Sequence, residues 1–210
     1  MGRKLLLIGG GGHCRSILDC LLSANGYDEI GIIDNNRAKI ALDVSVVGTD
    51  DDLPSLLKDG WTDAFITVGS VGSTQLRRKI YKRIRDYGFN IPYIIDISAI
   101  IARNIVVNEG TFVGKSAIVN TGAMVGACAI INTGAIVEHD CIIGDFSHIS
   151  PRTTLCGQVE VGDNSHVGAG TVVRQGIKIG HNVLIGAGSV VVNNIPDNVK
   201  AYGNPCRVVK

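Results

Sequence analysis

Taken at every sixth residue, the stretch from Ile101 to Val191 reads Ile101, Val107, Val113, Val119, Val125, Ile131, Val137, Ile143, Ile149, Leu155, Val161, Val167, Val173, Ile179, Ile185 and Val191. Every one is a branched aliphatic. Against a background of 45% apolar residues, such a register arises by chance on the order of three times in a million. A period of six, rather than two or 3.6, means a bend every six residues with one aliphatic side chain per short strand pointing inward. Three such strands close a triangular coil of eighteen residues, so sixteen hexads predict about five stacked coils of a solenoid.

Two other hexad positions fit this geometry. The second is often glycine (Gly114, Gly126, Gly144, Gly162, Gly168, Gly180, Gly186), which is expected to relieve the backbone at the bend. The fifth is usually small, as at Ala117, Ala123, Ala129, Ala135, Cys141, Ser147, Thr153, Ser165, Thr171 and Ser189. Composition agrees: 27 glycines and only 5% aromatic residues suit a tightly turned repeat better than an ordinary core.

Before residue 100 the pattern is different. Residues 4 to 8 form an apolar run that stops at Gly9–Gly12, and Ile17, Leu18, Leu21 and Leu22 then mark a helix. Further runs at 29–34 and 63–68 end in the polar loops Asp34-Asn35-Asn36 and Gly69-Ser70-Val71-Gly72. Thr49 and Ser73 can cap helices over 50–59 and 74–87, the second with Leu76, Ile80 and Ile84 as its apolar stripe. A fourth strand is expected over Asn90 to Ile95. Alternating strands and helices predict a small Rossmann-like parallel α/β domain over 1–98, followed by an all-β solenoid domain with a C-terminal tail over 99–210. Parallel sheets bind ligands at the carboxyl ends of their strands, where the three loops would converge.

The balance of charge, with Lys+Arg 20 against Asp+Glu 19, argues against a nucleic-acid partner. No apolar run approaches the roughly 20 residues of a membrane span, so no integral membrane segment is expected. Six cysteines without a CxxC pair fit reduced thiols in a cytoplasmic protein.

Four histidines lie in the solenoid. His139 and His181 take the third hexad position, His148 and His166 the sixth, so all four are expected to face outward. His139 stands between Glu138 and Asp140, either of which could fix the imidazole tautomer, as a general base requires. His148 follows nine residues later, half a coil, so the two project from opposite sides of one prism. If both serve one site, that site lies between subunits of a closed homo-oligomer. His148, His166 and His181 could alternatively hold a zinc ion. Gly168-Ala169-Gly170 and Gly186-Ala187-Gly188, eighteen residues apart, stack on adjacent coils and suggest a groove for an amide-bearing pantetheine arm. The loop Gly9-Gly10-Gly11-Gly12-His13-Cys14 matches a dinucleotide fingerprint only partly, with Cys14 where the third glycine belongs, yet it suits phosphate at a helix N-terminus. Asp34 could then bind hydroxyl or base edges.

The hexads resemble the left-handed parallel β-helix of acyltransferases. Together with GGGGHC at the start, EHDCIIGDFSHIS in the middle and Tyr202-Gly-Asn-Pro-Cys-Arg207 at the end, the chain resembles the NeuD family of sugar O-acetyltransferases and especially its PglD-like branch of nucleotide-sugar N-acetyltransferases. That resemblance implies acetyl-CoA as cosubstrate, no metal, a nucleotide-sugar substrate and a homotrimer. It implies His139 as general base with Asp140 increasing its basicity, His148 contacting acetyl-CoA from the adjoining subunit, and Ala169 and Ala187 lining the cofactor groove. It places Gly11, Gly12, His13, Asp34, Asn35 and Gly69 around the nucleotide-sugar, with Asn35 where some relatives carry an acidic residue. Direct transfer to the amine of a 4-amino sugar is the expected reaction. O-acetylation of sialic acid or another polyol, and a non-catalytic trimeric nucleotide-binding module, are the competing expectations. Cys141, inward at a fifth position, is not expected to carry the acyl group.

Overall fold

The computed structural model describes residues 2–36 and 43–209. Contacts divide the chain into two compact units, one of residues 1–70 with 75–94 and one of 71–74 with 95–210.

In the first unit, β1 (Lys4–Ile8), β2 (Glu29–Ile33), β3 (Val46–Gly48) and β4 (Asp63–Ile66) form a parallel sheet in the order β3-β2-β1-β4. This order reverses between β1 and β4, so their carboxyl ends border the crevice where such sheets take ligands. β3 was not legible in the sequence, being three residues long. Helix α1 (Gly12–Ala24) buries Cys14, Ile17, Leu18, Cys20 and Leu21. Leu22, expected among them, is exposed. After a 3-10 turn at Asp50–Asp52, whose Asp52 carboxylate accepts the Thr49 N–H (2.7 Å) and hydroxyl (3.0 Å), comes α2 (Leu53–Lys58). Helix α3 (Gln75–Tyr87) turns inward Arg77, Ile80 and Ile84. The stripe is therefore one residue out of the expected register: Leu76 is 56% exposed and Arg77 only 1%. Position 77 precedes Ile80 by three and Ile84 by seven, the spacing that shares one helical face.

The fourth strand expected over Asn90 to Ile95 does not form as a unit. Asn90 makes an isolated bridge to Asp63, and only Ile94–Ile95 is extended in a ladder. Pro92, which has no N–H to give a ladder, stands between them.

The second unit is a parallel β-helix. Its two-residue strands stack in three faces. Face I carries strands at 106–107, 124–125, 142–143, 160–161 and 178–179. Face II carries those at 112–113, 130–131, 148–149, 166–167 and 184–185. Face III carries those at 100–101, 118–119, 136–137, 154–155, 172–173 and 190–191. Each strand pairs in register with the one eighteen residues on, as His148 does with His166. The inward column behaves as the hexads require, and from Val113 to Val191 each first-position residue is at most 2% exposed. Fifth-position hydroxyls close the wall by donating to the second-position carbonyl of the coil above: Ser147 to Gly162 (2.8 Å), Thr153 to Gly168 (3.0 Å), Ser165 to Gly180 (2.7 Å). Each such bond ties a side chain of one coil to the backbone of the next.

The bend lies elsewhere than expected. Positive φ falls on the fourth hexad position, at Gly110, Ser116, Gly122, Cys128, Gly134, Asp140, Phe146 and onward to Gly188. The second-position glycines have ordinary φ and answer a different constraint, the close approach of the next coil. A Cβ on Gly168 would stand 2.6 Å from the Ala187 nitrogen, and one on Gly162 would stand 2.7 Å from the His181 nitrogen.

Both ends are closed. At the first coil, buried Asp96 accepts bonds from the Ser98 N–H (2.9 Å) and hydroxyl (2.6 Å) and from Lys115 Nζ (3.1 Å). Burial alone would raise this carboxyl, but the Ser98 and Lys115 bonds together outweigh it and hold it below its ordinary value. At the last coil, Lys200–Gly203 extends face II and turns back as the antiparallel strand Cys206–Val208.

Candidate active site

In the first unit, three loops follow the carboxyl ends of β1, β2 and β4. Gly9 takes φ +105°, and its carbonyl accepts the Thr67 hydroxyl at 2.6 Å. Thr67 is buried, and the sequence reading did not single it out; a hydroxyl closing an apolar strand was the available signal. Asp34 turns both carboxylate oxygens onto the backbone, accepting the N–H of Gly10 (2.7 Å) and of Asn36 (3.0 Å). It thus organises the glycine loop as well as bordering it. Gly11 is the N-cap of α1 without a side-chain cap, and no acidic residue occupies the first turn. A Cβ on Gly11 or Gly12 would meet nothing within 4 Å. The start of α1 thus has open space at Gly11 and Gly12, on the side where the positive end of a helix dipole favours negative charge. His13 lies on the first turn, with Gly69 close enough that a Cβ there would stand 3.6 Å from the His13 Cβ. Asn35 is exposed beside Asp34. The structure brings Gly10 to Asp34 and His13 to Gly69.

In the second unit the three corners of the prism differ. The corner between faces III and I carries His139. Its Nδ1 lies 2.9 Å from Asp140 Oδ2. Since a carboxylate only accepts, Nδ1 donates in this contact, and in the neutral ring that leaves the lone pair on Nε2. Of the two flanking carboxylates, it is Asp140 that contacts the ring. Glu138 accepts the Asn120 amide (3.0 Å) and the His139 backbone N–H (3.3 Å). The imidazole remains nearly half exposed.

Cys141, two residues on, is fully buried. Its Sγ donates to the Cys156 carbonyl at 3.2 Å, the same bond made by the fifth-position hydroxyls. Burial pushes the thiol up to about 11.

The corner between faces I and II is a ladder. Asp145 Oδ1 accepts the Ala127 N–H (2.7 Å), Asp163 Oδ1 that of Asp145 (2.9 Å), His181 Nδ1 that of Asp163 (2.9 Å) and Asp197 Oδ1 that of His181 (2.8 Å). His181 therefore belongs to a column of backbone caps. It does not join His148 and His166, which lie on face II, and among the described residues no group of three or more His, Cys, Asp or Glu is placed to hold a metal ion.

The corner between faces II and III carries Lys115 and Thr133 in the third position of its first coils and Pro151, Ala169 and Ala187 in the coils above, so no Asp or His takes that position there. Ala169 and Ala187 are exposed and stacked, the Gly188 N–H donating to the Ala169 carbonyl at 2.8 Å. The second glycine of each Gly-Ala-Gly, Gly170 and Gly188, has φ +68° and +67°. Both glycines of each tripeptide thus have structural reasons, coil approach for the first and the bend for the second.

His148 projects from face II, opposite the corner that carries His139, with Nε2 3.0 Å from the Asn132 amide. His166, expected to face solvent, is only 9% exposed. Its ring meets that of His148 edge-on at 4.8 Å between centroids, and its Nε2 lies 3.2 Å from the Ser150 hydroxyl. One strand spacing between the coils packs the two rings together and covers the upper one.

A nucleotide-type loop cluster in one unit and a hexapeptide solenoid bearing an exposed histidine–aspartate pair in the other define the class of hexapeptide acyltransferases. Residues 4–84 match the family model of the PglD N-terminal domain, and residues 140–175 and 158–193 match that of the bacterial transferase hexapeptide (six repeats). PerB from Caulobacter crescentus, solved with CoA and GDP-perosamine, is 37% identical with a TM-score of 0.91, over 99% of this chain and 97% of that one. The acetyltransferase domain of PglB from Neisseria gonorrhoeae, solved with acetyl coenzyme A, is 32% identical with a TM-score of 0.92 over 100% of both chains. WeeI from Acinetobacter baumannii shares the fold at 19% identity and a TM-score of 0.88, over 99% and 100%. The chain belongs to the NeuD/PglD-like family of CoA-dependent sugar acetyltransferases.

Proposed function

We propose that this protein transfers the acetyl group of acetyl-CoA to the amino group of a nucleotide-linked amino sugar, with His139 as general base. The contact between His139 Nδ1 and Asp140 Oδ2 carries this reading, because it leaves Nε2 with its lone pair on an exposed ring. The sugar amine attacks the thioester carbonyl carbon, and Nε2 takes the proton the amine loses. Backbone N–H donors hold the tetrahedral oxyanion, the C–S bond breaks, CoA leaves as the thiolate and an amide remains. Relatives solved with CoA and GDP-perosamine, and with acetyl coenzyme A, support the two substrate classes. In the first unit, Gly11, Gly12 and His13 at the start of α1, with Asp34, Asn35 and Gly69, hold the nucleotide-linked substrate. Ala169 and Ala187 line the path of the CoA arm, which Asp or His at those positions would close.

The working form is a homotrimer in the cytoplasm. His139 and His148 occupy a corner and the face opposite it, so both reach one acetyl-CoA only across a subunit boundary. An exposed apolar column on face I, Val106, Met124 and Ile142, supports association. Six free cysteines are in keeping with a reducing compartment. Among the described residues no helix is long and apolar enough to cross a membrane.

The test is to incubate the enzyme with acetyl-CoA and a panel of UDP-, GDP- and TDP-linked amino sugars while following free thiol. Consumption of one of them, lost in His139→Ala, is expected. Consumption no faster than the variant's, or acetylation of sialic acid alone, overturns the reading.

A further inference from the structure

Between residues 101 and 195 every glycine but one takes the second or the fourth hexad position. The exception is Gly157, at a third position. Neither reason that holds for the others applies to it. The bend of its corner is made by the next residue, Gln158, at φ +61°, while Gly157 itself has ordinary backbone. Nor does a neighbouring backbone crowd it. The three atoms that a Cβ at 157 would meet first all belong to the imidazole of His139, eighteen residues earlier on the coil below. Cε1 would lie at 2.5 Å, Cδ2 at 3.0 Å and Nε2 closer still.

Asp140 is seated in the same manner from the other side. Gly122, one coil below it, has φ +74°, and a Cβ there would overlap Asp140 Oδ1. The pair is thus clasped between two bare Cα positions, Gly122 beneath the carboxylate and Gly157 above the ring.

We infer that Gly157 is a positioning residue for the acetyl transfer. Its missing side chain is the seat that holds the His139 ring in line with Asp140, and it acts only through that ring. This rests on His139 being the general base. A methyl group at 157 tilts the imidazole away, breaks the Nδ1 contact and frees the tautomer, while the substrate-binding surfaces are untouched. A displacement of about 1 Å in a catalytic group is enough to cost on the order of 100-fold in rate.

The experiment is a double-mutant cycle of Gly157→Ala and His139→Ala, read by kcat, KM, melting temperature and the imidazole 15N resonances of His139. Gly157→Ala is expected to lower kcat by roughly 10- to 100-fold with both KM values within about twofold. The His139 resonances should move from the pattern of a single Nδ1–H tautomer toward a mixture. In the His139→Ala background the same substitution should change neither the residual rate nor the melting temperature. If Gly157→Ala folds poorly, His139→Ala should restore its melting temperature, because the colliding ring is gone. An unchanged kcat in Gly157→Ala overturns the inference, as does an equal loss in both backgrounds or a double variant as unstable as the single one. Full turnover by His139→Ala would instead overturn the general-base reading, and the 15N pattern would still report whether Gly157 seats the ring.

Discussion

His139 and His181 occupy the same third position of their hexads, at different corners of the same prism, and each has an aspartate beside it. Their surroundings assign them opposite work. His181 spends Nδ1 on the backbone N–H of Asp163 in the coil below, while its own N–H is taken by Asp197, so ring and backbone are built into the wall. His139 receives its carboxylate from its own coil, on Nδ1, while its backbone N–H is met by Glu138. Its Nε2 edge lies over the bare Cα of Gly157. What separates the wall histidine from the proposed general base on this scaffold is which coil supplies the partner and whether Nδ1 accepts a hydrogen bond from it or donates one.

The comparison is broken most directly by removing each ring. His139→Ala should lower kcat by about 10³-fold at unchanged melting temperature. His181→Ala should leave turnover within about twofold, away from the reacting groups, and lower stability by about 1 kcal/mol through the lost bond to the Asp163 N–H. Steady-state thiol release and thermal melting check both. A reversed pattern would assign the chemistry to the ladder corner.

One chemical change made at both corners sharpens it. Asp140→Asn presents an amide that can donate to Nδ1, favouring the tautomer with its proton on Nε2, and kcat should fall by about 100-fold or more. Asp163→Asn keeps an oxygen able to accept the Asp145 N–H, so stability should fall by less than about 1 kcal/mol, with turnover unchanged. Glu138→Gln ranks between them, at less than about tenfold in kcat, since an amide oxygen still accepts the His139 N–H. Near-equal effects of Glu138→Gln and Asp140→Asn would mean that the two carboxylates share the ring.

The solenoid was legible because its period is local: each hexad repeats one inward aliphatic, and sixteen repeats leave no other register. The site was legible only as a phrase. Glu138 and Asp140 flank His139 symmetrically in sequence. The choice falls to Asp140 because it occupies the bend position at φ +59°, which turns its short side chain back onto the ring. The burial of His166 depends on the ring one strand below it, and the inward turn of Arg77 on the packing of α3, both non-local. β3 is three residues long and pairs with β2 across a shift in register, so its pattern is too short to stand out. The second-position glycines were visible, but their reason was not. Their constraint comes from backbone eighteen residues away, while the bend itself is carried largely by Asn, Asp, Ser, Arg and Gln as well as by glycine.

The smallest effect is expected at the cysteine that stands closest in sequence to the proposed general base. Cys141 makes the wall bond that serine and threonine make at other fifth positions, so Cys141→Ser should keep the bond to the Cys156 carbonyl and hold kcat within about twofold. Its signature lies in alkaline stability instead. Burial raises the folded thiol from 9.0 to about 11. The folded state therefore binds a proton that the unfolded chain has already released, so this contribution is whole below pH 9 and is lost as pH rises toward 11. Melting temperatures measured across that window should fall less steeply for Cys141→Ser than for the parent chain. Loss of turnover in this variant, with folding intact, would move the acyl group onto the thiol and remove the distinction between a corner that reacts and a wall that only supports it.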